Sequence, residues 1–452
     1  MNTQISPPSE DRQNIVLLTV DSLRADHCGF LDSKFDLTPT LNGLARAGLS
    51  FESAIAPGPR TPSSMPVIWT GRHVGGDNKG VYDSREAKQA SWQGRQQRLR
   101  RHLSRFETLA ERLSARGYET GAVTTNPWTT SDTGFDQGFD TFEAVHGLPD
   151  DSSTSLLKEL LAKGSKLPQI PDAEQWLLTW PDIYETIQET RSQLTDPYFL
   201  WVFLLDSHQP YLTPRRYREE NTSLEMYYAN VRYTQGYSPF DTLPTHLDSR
   251  LSAAYRDTVR SVDSFVGRLL GDLAGDDPAF VCHADHGEAF GEHGTHGHRP
   301  ELYDENLRVP LLAHNVGSTG RVTDQVALRH LPEFICSVAD GEPRVDTLCQ
   351  TPAVAVTEES ERLAVRTGLW KRITSRVDWP FAREGPTDEL YDLQDDADET
   401  KNLALSHGEI CELLDSWIDS YRGSLAERKL IGEASEIVVR NQIRPTELED
   451  KQ

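Results

Sequence analysis

The sequence predicts an α/β fold in which helices flank a central, mostly parallel sheet. Two observations carry that reading. Short apolar runs alternate with amphipathic stretches through residues 14–314. Several of those runs are followed at once by acids and histidines, and in open α/β sheets ligands gather at the carboxyl ends of strands.

The strand candidates are NIVLLTV (14–20), TGAVTT (120–125), YFLWVFLL (198–205), AFVCHA (279–284) and VPLLAH (309–314). Between them, Phe106, Leu109, Ala110 and Leu113 share one helical face, which stops at Gly117. A second stripe runs through Leu251, Tyr255, Val262, Phe265, Val266 and Leu269. Residues 72–105 and 212–250 are polar and irregular, and are expected to be surface excursions of the kind that cover a site. From about residue 352 the texture changes to AVAVT and LAVRTGLWKRITSR, which reads as a hairpin turning at Thr367-Gly368. The expected division is a catalytic α/β domain over 1–350, with a small C-terminal subdomain over 351–452. That subdomain combines short antiparallel strands with a terminal helix.

Composition limits the function classes. With 37% hydrophobic and 26% charged residues the chain is globular, and 452 residues are ample for a buried core. A formal net charge of −24 argues against nucleic acid as a partner. The basic cluster at 95–105 reads as a solvated helix face. Five scattered cysteines form neither a disulfide framework nor a zinc pattern, as in a reducing compartment. The polar start MNTQISPPSEDRQ has no signal-peptide core, and no run reaches the length of a membrane span. The expectation is a soluble, cytoplasmic protein.

The chemistry gathers after three strands. The first runs into Asp21; alone, that residue reads equally as a helix N-cap. The strand at 198–205 runs into DSHQPY, with Asp206 and His208. The strand at 279–284 runs into HADHGEAFGEHGTHGH, which offers His283, Asp285, His286, Glu288, Glu292, His293, His296 and His298. Carboxylates and imidazoles delivered by separate strand ends make a mixed O/N site for a divalent ion. A further stretch, PGPRTPSSMPVIWTG (57–71), crowds the hydroxyls of Thr61, Ser63 and Ser64 ahead of an apolar run. Alone, it reads as an ordinary helix entry.

Together these blocks resemble the sulfatase family of the alkaline phosphatase superfamily. NIVLLTVDSLRADHCG is similar to the family's first strand and acidic ligand, and DLTPTLNGLARAGLSFESAIA to the segment leading to its nucleophile. FETLAERLSARGYETGAVTTN with TGFDQGFDTF, then DSHQPY, resemble the next blocks. ADHGEAFGEHG with LYDENLRVPLL is similar to the second ligand block, and ELYDLQDDADETKNLA to the C-terminal signature. The resemblance implies a metal-dependent hydrolase of sulfuric or phosphoric esters, acting on a small anionic ester away from membranes. One divalent ion per chain (Mn, Ca or Zn) would be held by Asp21, Thr61, Asp285 and His286. Thr61 falls at the nucleophile, with Ser63 or Ser64 taking its place if the loop shifts register. His208 would assist the leaving group, His298 or His296 would contact the anion, and Asn126 would line the pocket.

Three departures matter. Sulfatases carry a Cys or Ser that becomes formylglycine within Cys/Ser-x-Pro-x-Arg; here Thr61-Pro62-Ser63-Ser64-Met65 lacks the precursor, the Pro and the Arg. Thr61 can act only as an alkoxide. Ser22 stands where many members have a second Asp. Thr125 and Asn126 replace the family's Gly-Lys-x-His cations, so the anion pocket is expected to be less positive. Phosphodiesterase or phosphoglycerol-type transfer is the alternative chemistry, and a degenerate binding protein is the alternative outside catalysis.

Overall fold

Ile15–Val20 and Tyr198–Leu204 are buried at every position because both lie inside the sheet, where neither face meets water. In this computed structural model, residues 12–32, 34–74, 85–145, 178–349, 352–357, 362–375 and 388–424 are described. The eight-stranded sheet runs in the order Gly320–Val322, Leu49–Phe51, Leu311–His314, Ala279–Ala284, Ile15–Val20, Tyr198–Leu204, Glu119–Thr124, Thr141–Ala144. Its pairings are parallel except for those of Leu311–His314, which is antiparallel to both neighbours. Each strand expected from the sequence is present.

Register sets up the site. Val20 lies opposite Leu204 on one side and Ala284 on the other, so three central strands end level. The residues that follow them share one edge.

The helices are fixed by local chemistry. Leu109–Ser114 starts at Thr108, which forms a capping box with Glu111. Phe106 therefore lies before the helix and not on its face. The long helix Thr245–Asp272 buries the expected stripe, and its Asp263 accepts the backbone N–H groups of Thr40 and Leu41 at the start of Pro39–Ala47. The two expected excursions contain helices, Arg85–Leu103, of which only the basic stretch from residue 95 was expected to be helical, and Ser223–Gly236. Both sequences are mostly polar, and among the described side chains Leu99, Leu103, Met226 and Ala229 are buried, so apolar periodicity did not reveal the full helices. Among the described residues, no helix is long and apolar enough to cross a membrane.

Ala353–Val356, Arg362–Arg366, Trp370–Ser375 and Asp388–Asp392 form a separate antiparallel sheet, with the hairpin turning after Arg366. A helix over 408–424 follows it. Ala355, Ala364, Ile373 and Tyr391 share a core with Ile55, Leu302 and Leu307, and Val356 N–H donates to the Pro57 carbonyl. Beside this core runs an ionic seam. Lys371, fully buried, lies 2.9 Å from Asp304 and 2.7 Å from Glu399. Arg366 also pairs with Asp304 at 2.7 Å, and Arg362 with Glu301 and Glu389.

Removing one member of a buried ion set leaves the others uncompensated, at a cost of about 3–5 kcal/mol. Lys371→Met is expected to lower unfolding free energy by about that amount in urea titrations. A loss under about 1 kcal/mol would mean that Glu399 finds another partner.

Candidate active site

Asp21, Asp285 and His286 converge where the first strand and the strand Ala279–Ala284 end side by side. Each offers a ligand atom within 4.8 Å of the others, and all three are completely buried. His286 Nε2 lies 3.4 Å from Asp21 Oδ1 and 3.6 Å from Asp285 Oδ2. Its Nδ1 sits 2.8 Å from the Gly287 carbonyl, which can only accept, so the N–H is on Nδ1 and Nε2 presents a lone pair. Gly287 is required here, because a Cβ would collide with the Glu305 carbonyl.

Burial pushes the Asp21 carboxyl up to about 8, with the Asp285 charge adding to it. Burial likewise pushes Asp285 up to about 7. Asp285 Oδ2 has no hydrogen-bond partner despite its burial. Two dry carboxylates, an orphaned oxygen and an imidazole lone pair form a donor set that fits a divalent cation.

Ser22 follows Asp21 with φ +59°, in the left-handed region that costs energy for any residue but glycine. This turn lets its N–H point at Asp285 Oδ1 (3.4 Å) and its hydroxyl donate to Asp21 Oδ1 (2.9 Å). Tyr255, from the long helix, braces it by donating to the Ser22 carbonyl while accepting Arg24 N–H. The residue that replaces the expected second acid thus binds both remaining acids.

Thr61 opens the helix Thr61–Thr70, whose positive end faces the site. Its Oγ1 lies 3.4 Å from Asp21 Oδ2 and 3.4 Å from His286 Nε2. Ser63 and Ser64 are occupied elsewhere, donating to the carbonyls of Arg60 (2.9 Å) and Asp285 (2.6 Å). Asn126, following the strand Glu119–Thr124, donates from Nδ2 to Asp21 Oδ2 (2.6 Å) and to Thr61 Oγ1 (3.3 Å).

Beyond Thr61 stands a second tier. The His298 ring lies 4.8 Å from the His286 ring and 4.7 Å from the His208 ring. His208 has its Nδ1 2.5 Å from the Gln209 carbonyl. Burial, then the charges of neighbouring histidines, holds His208 and His298 well below the usual imidazole range. Glu288, fully buried, receives His298 Nδ1 at 2.6 Å on one oxygen and Tyr211 OH at 2.6 Å on the other. Arg60 and Arg299 are coupled electrostatically to His298 and to each other. Both positive charges help to hold the His298 imidazole below its usual range.

Other candidates sit apart. His296 lies 3.2 Å from Asp248 and its ring packs near that of Tyr233. Asp206 accepts Trp180 N–H at the start of Trp180–Gln193. His293 stacks on Tyr303 and bonds Glu305 and the Glu399 carbonyl, joining the ionic seam. The sequence did not single out Ser22 as a brace, nor Arg60, Tyr211 and Arg299 as neighbours of the site. Each lies within three positions of a residue that it did single out, and chain adjacency was the available signal.

The comparisons agree with this geometry. A model of the Sulfatase family matches residues 13–330. Human iduronate 2-sulfatase is 24% identical over 359 residues, covering 70% of this chain; the chain spans 62% of that protein's length. The fold is similar to that of a phosphonate monoester hydrolase of Agrobacterium radiobacter (TM-score 0.64, 18% identity, 92% of this chain and 96% of that one). A putative sulfatase from Bacteroides fragilis is similar to the same degree (TM-score 0.63, 18% identity, 94% and 98%). With the family's ordered blocks folded onto one sheet edge, the chain belongs to the sulfatase family.

Proposed function

We propose that this protein hydrolyses a sulfuric or phosphoric ester of a small anionic substrate, with Thr61 as an unmodified nucleophile. One observation carries the reading: the Thr61 hydroxyl touches both Asp21 and His286 at the positive end of its own helix. Asp21, Asp285, His286 and Thr61 would hold one divalent ion, manganese, calcium or zinc. Such an ion supplies Lewis acidity and lowers the pKa of a neighbouring hydroxyl.

In this reading Thr61 Oγ1 attacks sulfur or phosphorus in line, and a covalent Thr61 ester forms as the alcohol leaves. Asn126 orients the Thr61 hydroxyl. Arg60 and Arg299 hold the anionic oxygens. His208 hands its proton to the leaving oxygen; it is neutral when the pocket is empty, and the bound anion's charge raises its pKa. The reading places catalysis within 1–350 and gives 351–452 the bracing of the segment that carries His298. The −24 net charge, opposed locally by these cations, favours a small ester over a nucleic acid.

Screening the metal-loaded protein on aryl sulfates, phosphate monoesters, phosphodiesters and phosphonate monoesters tests the class. Activity on none, with metal bound, would favour a binding protein. Thr61→Ala is expected to lose about three or more orders of magnitude in kcat, and Thr61→Ser to keep substantial turnover. Ser63→Ala should cost little. Ser64→Ala should act mainly on stability, because its hydroxyl holds the Asp285 carbonyl. Normal turnover in Thr61→Ala would overturn the assignment.

Metal content gives a second check. Elemental analysis should find about one divalent ion per chain, largely lost in Asp285→Asn and in His286→Ala. Full occupancy in both variants would remove these residues as ligands.

The third check is pH. Asp21 and Asp285 are raised from 3.8 to about 8 and about 7, so the metal-free fold binds more protons than the unfolded chain across that window. Metal-free stability therefore falls as pH rises through it, and a cation that binds the ionised pair opposes the fall. The gain in Tm on adding Mn²⁺ should be larger at about pH 8 than at about pH 6. A larger gain at the lower pH would contradict ligation by this pair.

A further inference from the structure

The two acids and the imidazole arrive on two arms of chain. One leaves Ile15–Val20 and carries Asp21; the other leaves Ala279–Ala284 and carries Asp285 and His286. Pairing between these strands ends at Val20 and Ala284. Past that point, other contacts must hold the arms together against the repulsion of two dry carboxylates. Arg24, a buried side chain on the first arm, spans the gap. Its Nη1 donates to the Glu288 carbonyl (2.7 Å) and to Glu292 Oε1 (2.8 Å), both on the second arm. Its Nε and Nη2 donate to the two oxygens of Asp26 (2.9 and 2.7 Å), which fixes the plane of the guanidinium from its own side. The Arg24 N–H donates to Tyr255 OH (2.9 Å), and that hydroxyl donates to the Ser22 carbonyl beside Asp21 (2.8 Å).

We propose that Arg24 is a positioning residue for the divalent ion. As a clasp between the arms it fixes the separation of Asp21 from Asp285 and His286, and with it the selectivity of the site among divalent ions. The inference rests on those three residues being ion ligands. The clasp stands three residues from Asp21 in the chain, and its far grip is two residues from His286. It needs a planar fork, because one side chain must grip Asp26 with one edge and reach across to Glu288 and Glu292 with another. An ammonium group is a point charge and cannot do both. Calcium accepts a flexible shell of oxygens, so it loses little when ligands shift. The smaller manganese ion, held in part by an imidazole, loses more. A closed clasp therefore favours manganese over calcium.

Calorimetric titration of the metal-free full chain with Mn²⁺, and separately with Ca²⁺, reads the clasp without any substrate. Arg24→Lys keeps the charge and loses the fork; it is expected to weaken Mn²⁺ binding about 10–100-fold and Ca²⁺ binding less. Arg24→Gln tests the sign. Losing a positive charge would by Coulomb's law alone tighten any cation, whereas an opened clasp weakens Mn²⁺. Glu292→Gln opens the clasp from the other arm at a partly exposed side chain, and it carries the test if neither Arg24 variant folds. Both ions bear the same charge, so the charge lost at Glu292 cancels from the ratio of the two constants, and the preference for Mn²⁺ should still shrink. Lys371→Met, which destabilises the chain elsewhere, should leave that ratio unchanged. Tighter Mn²⁺ binding in Arg24→Gln, an unchanged ratio in Arg24→Lys and Glu292→Gln, or the same shift in Lys371→Met overturns the proposal. Full Mn²⁺ occupancy in Asp285→Asn overturns instead the ligand assignment beneath it.

Discussion

Asp21 and Asp285 are held side by side without solvent, although two carboxylates in such a place repel each other and lack water to screen them. Their neighbours answer to that charge. Ser22 turns into a left-handed conformation to aim its N–H at one acid and its hydroxyl at the other. Asn126 reaches in from another strand end, and His286 keeps its lone pair toward the acids by giving its proton to a carbonyl. Thr61 sits where the positive end of its helix adds to the same compensation. The level ending of three central strands makes this crowding possible, and register is thus the link between sheet and chemistry.

Legibility in the sequence followed this arrangement. The central strands are buried on both faces, so they read as unbroken apolar runs, and the residues after them announce themselves by type. Asp21, His208, Asp285 and His286 were visible for that reason. The helix Ser223–Gly236 and the first half of Arg85–Leu103 were not, because neither helix has a broad apolar face to mark its period. Arg60 and Arg299 escaped notice because an arginine beside a loop resembles any surface arginine until the fold turns it inward. Thr61, Ser63 and Ser64 were indistinguishable by composition; their partners separate them, two backbone carbonyls against an acid and an imidazole.

The histidine-rich run divides by the same logic. Alternating glycine, histidine and acid suggested one cluster, yet its members face three environments. His286 and His298 face the Thr61 pocket, His296 meets Asp248, and His293 stacks on Tyr303 beside the C-terminal sheet. The glycines between them, several with positive φ, redirect the chain often enough to send neighbouring imidazoles apart. Counting histidines in a short window overstates the size of a site when glycines separate them.

The segment from Asp285 to Asn306 is tied along its length, by Arg24 at the Glu288 carbonyl and at Glu292, by Tyr211 at the Glu288 side chain and by the Pro239 carbonyl at His296 N–H. It is also anchored at both ends. One end leaves the central sheet; the other is gripped by Lys371, Arg366 and Glu399 through Asp304, and by His293 through the Glu399 carbonyl. Glu288 and His298 hang between these anchors. Local opening of a protein starts where a small unit is held by few contacts, well before the central core gives way. Release of the C-terminal sheet would slacken this span while leaving Asp21 and Asp285 on their strands. On warming, the arrangement around His298 would then loosen before the Asp21–Asp285 pair does, and the grip of a peripheral four-stranded sheet would set the temperature at which it loosens.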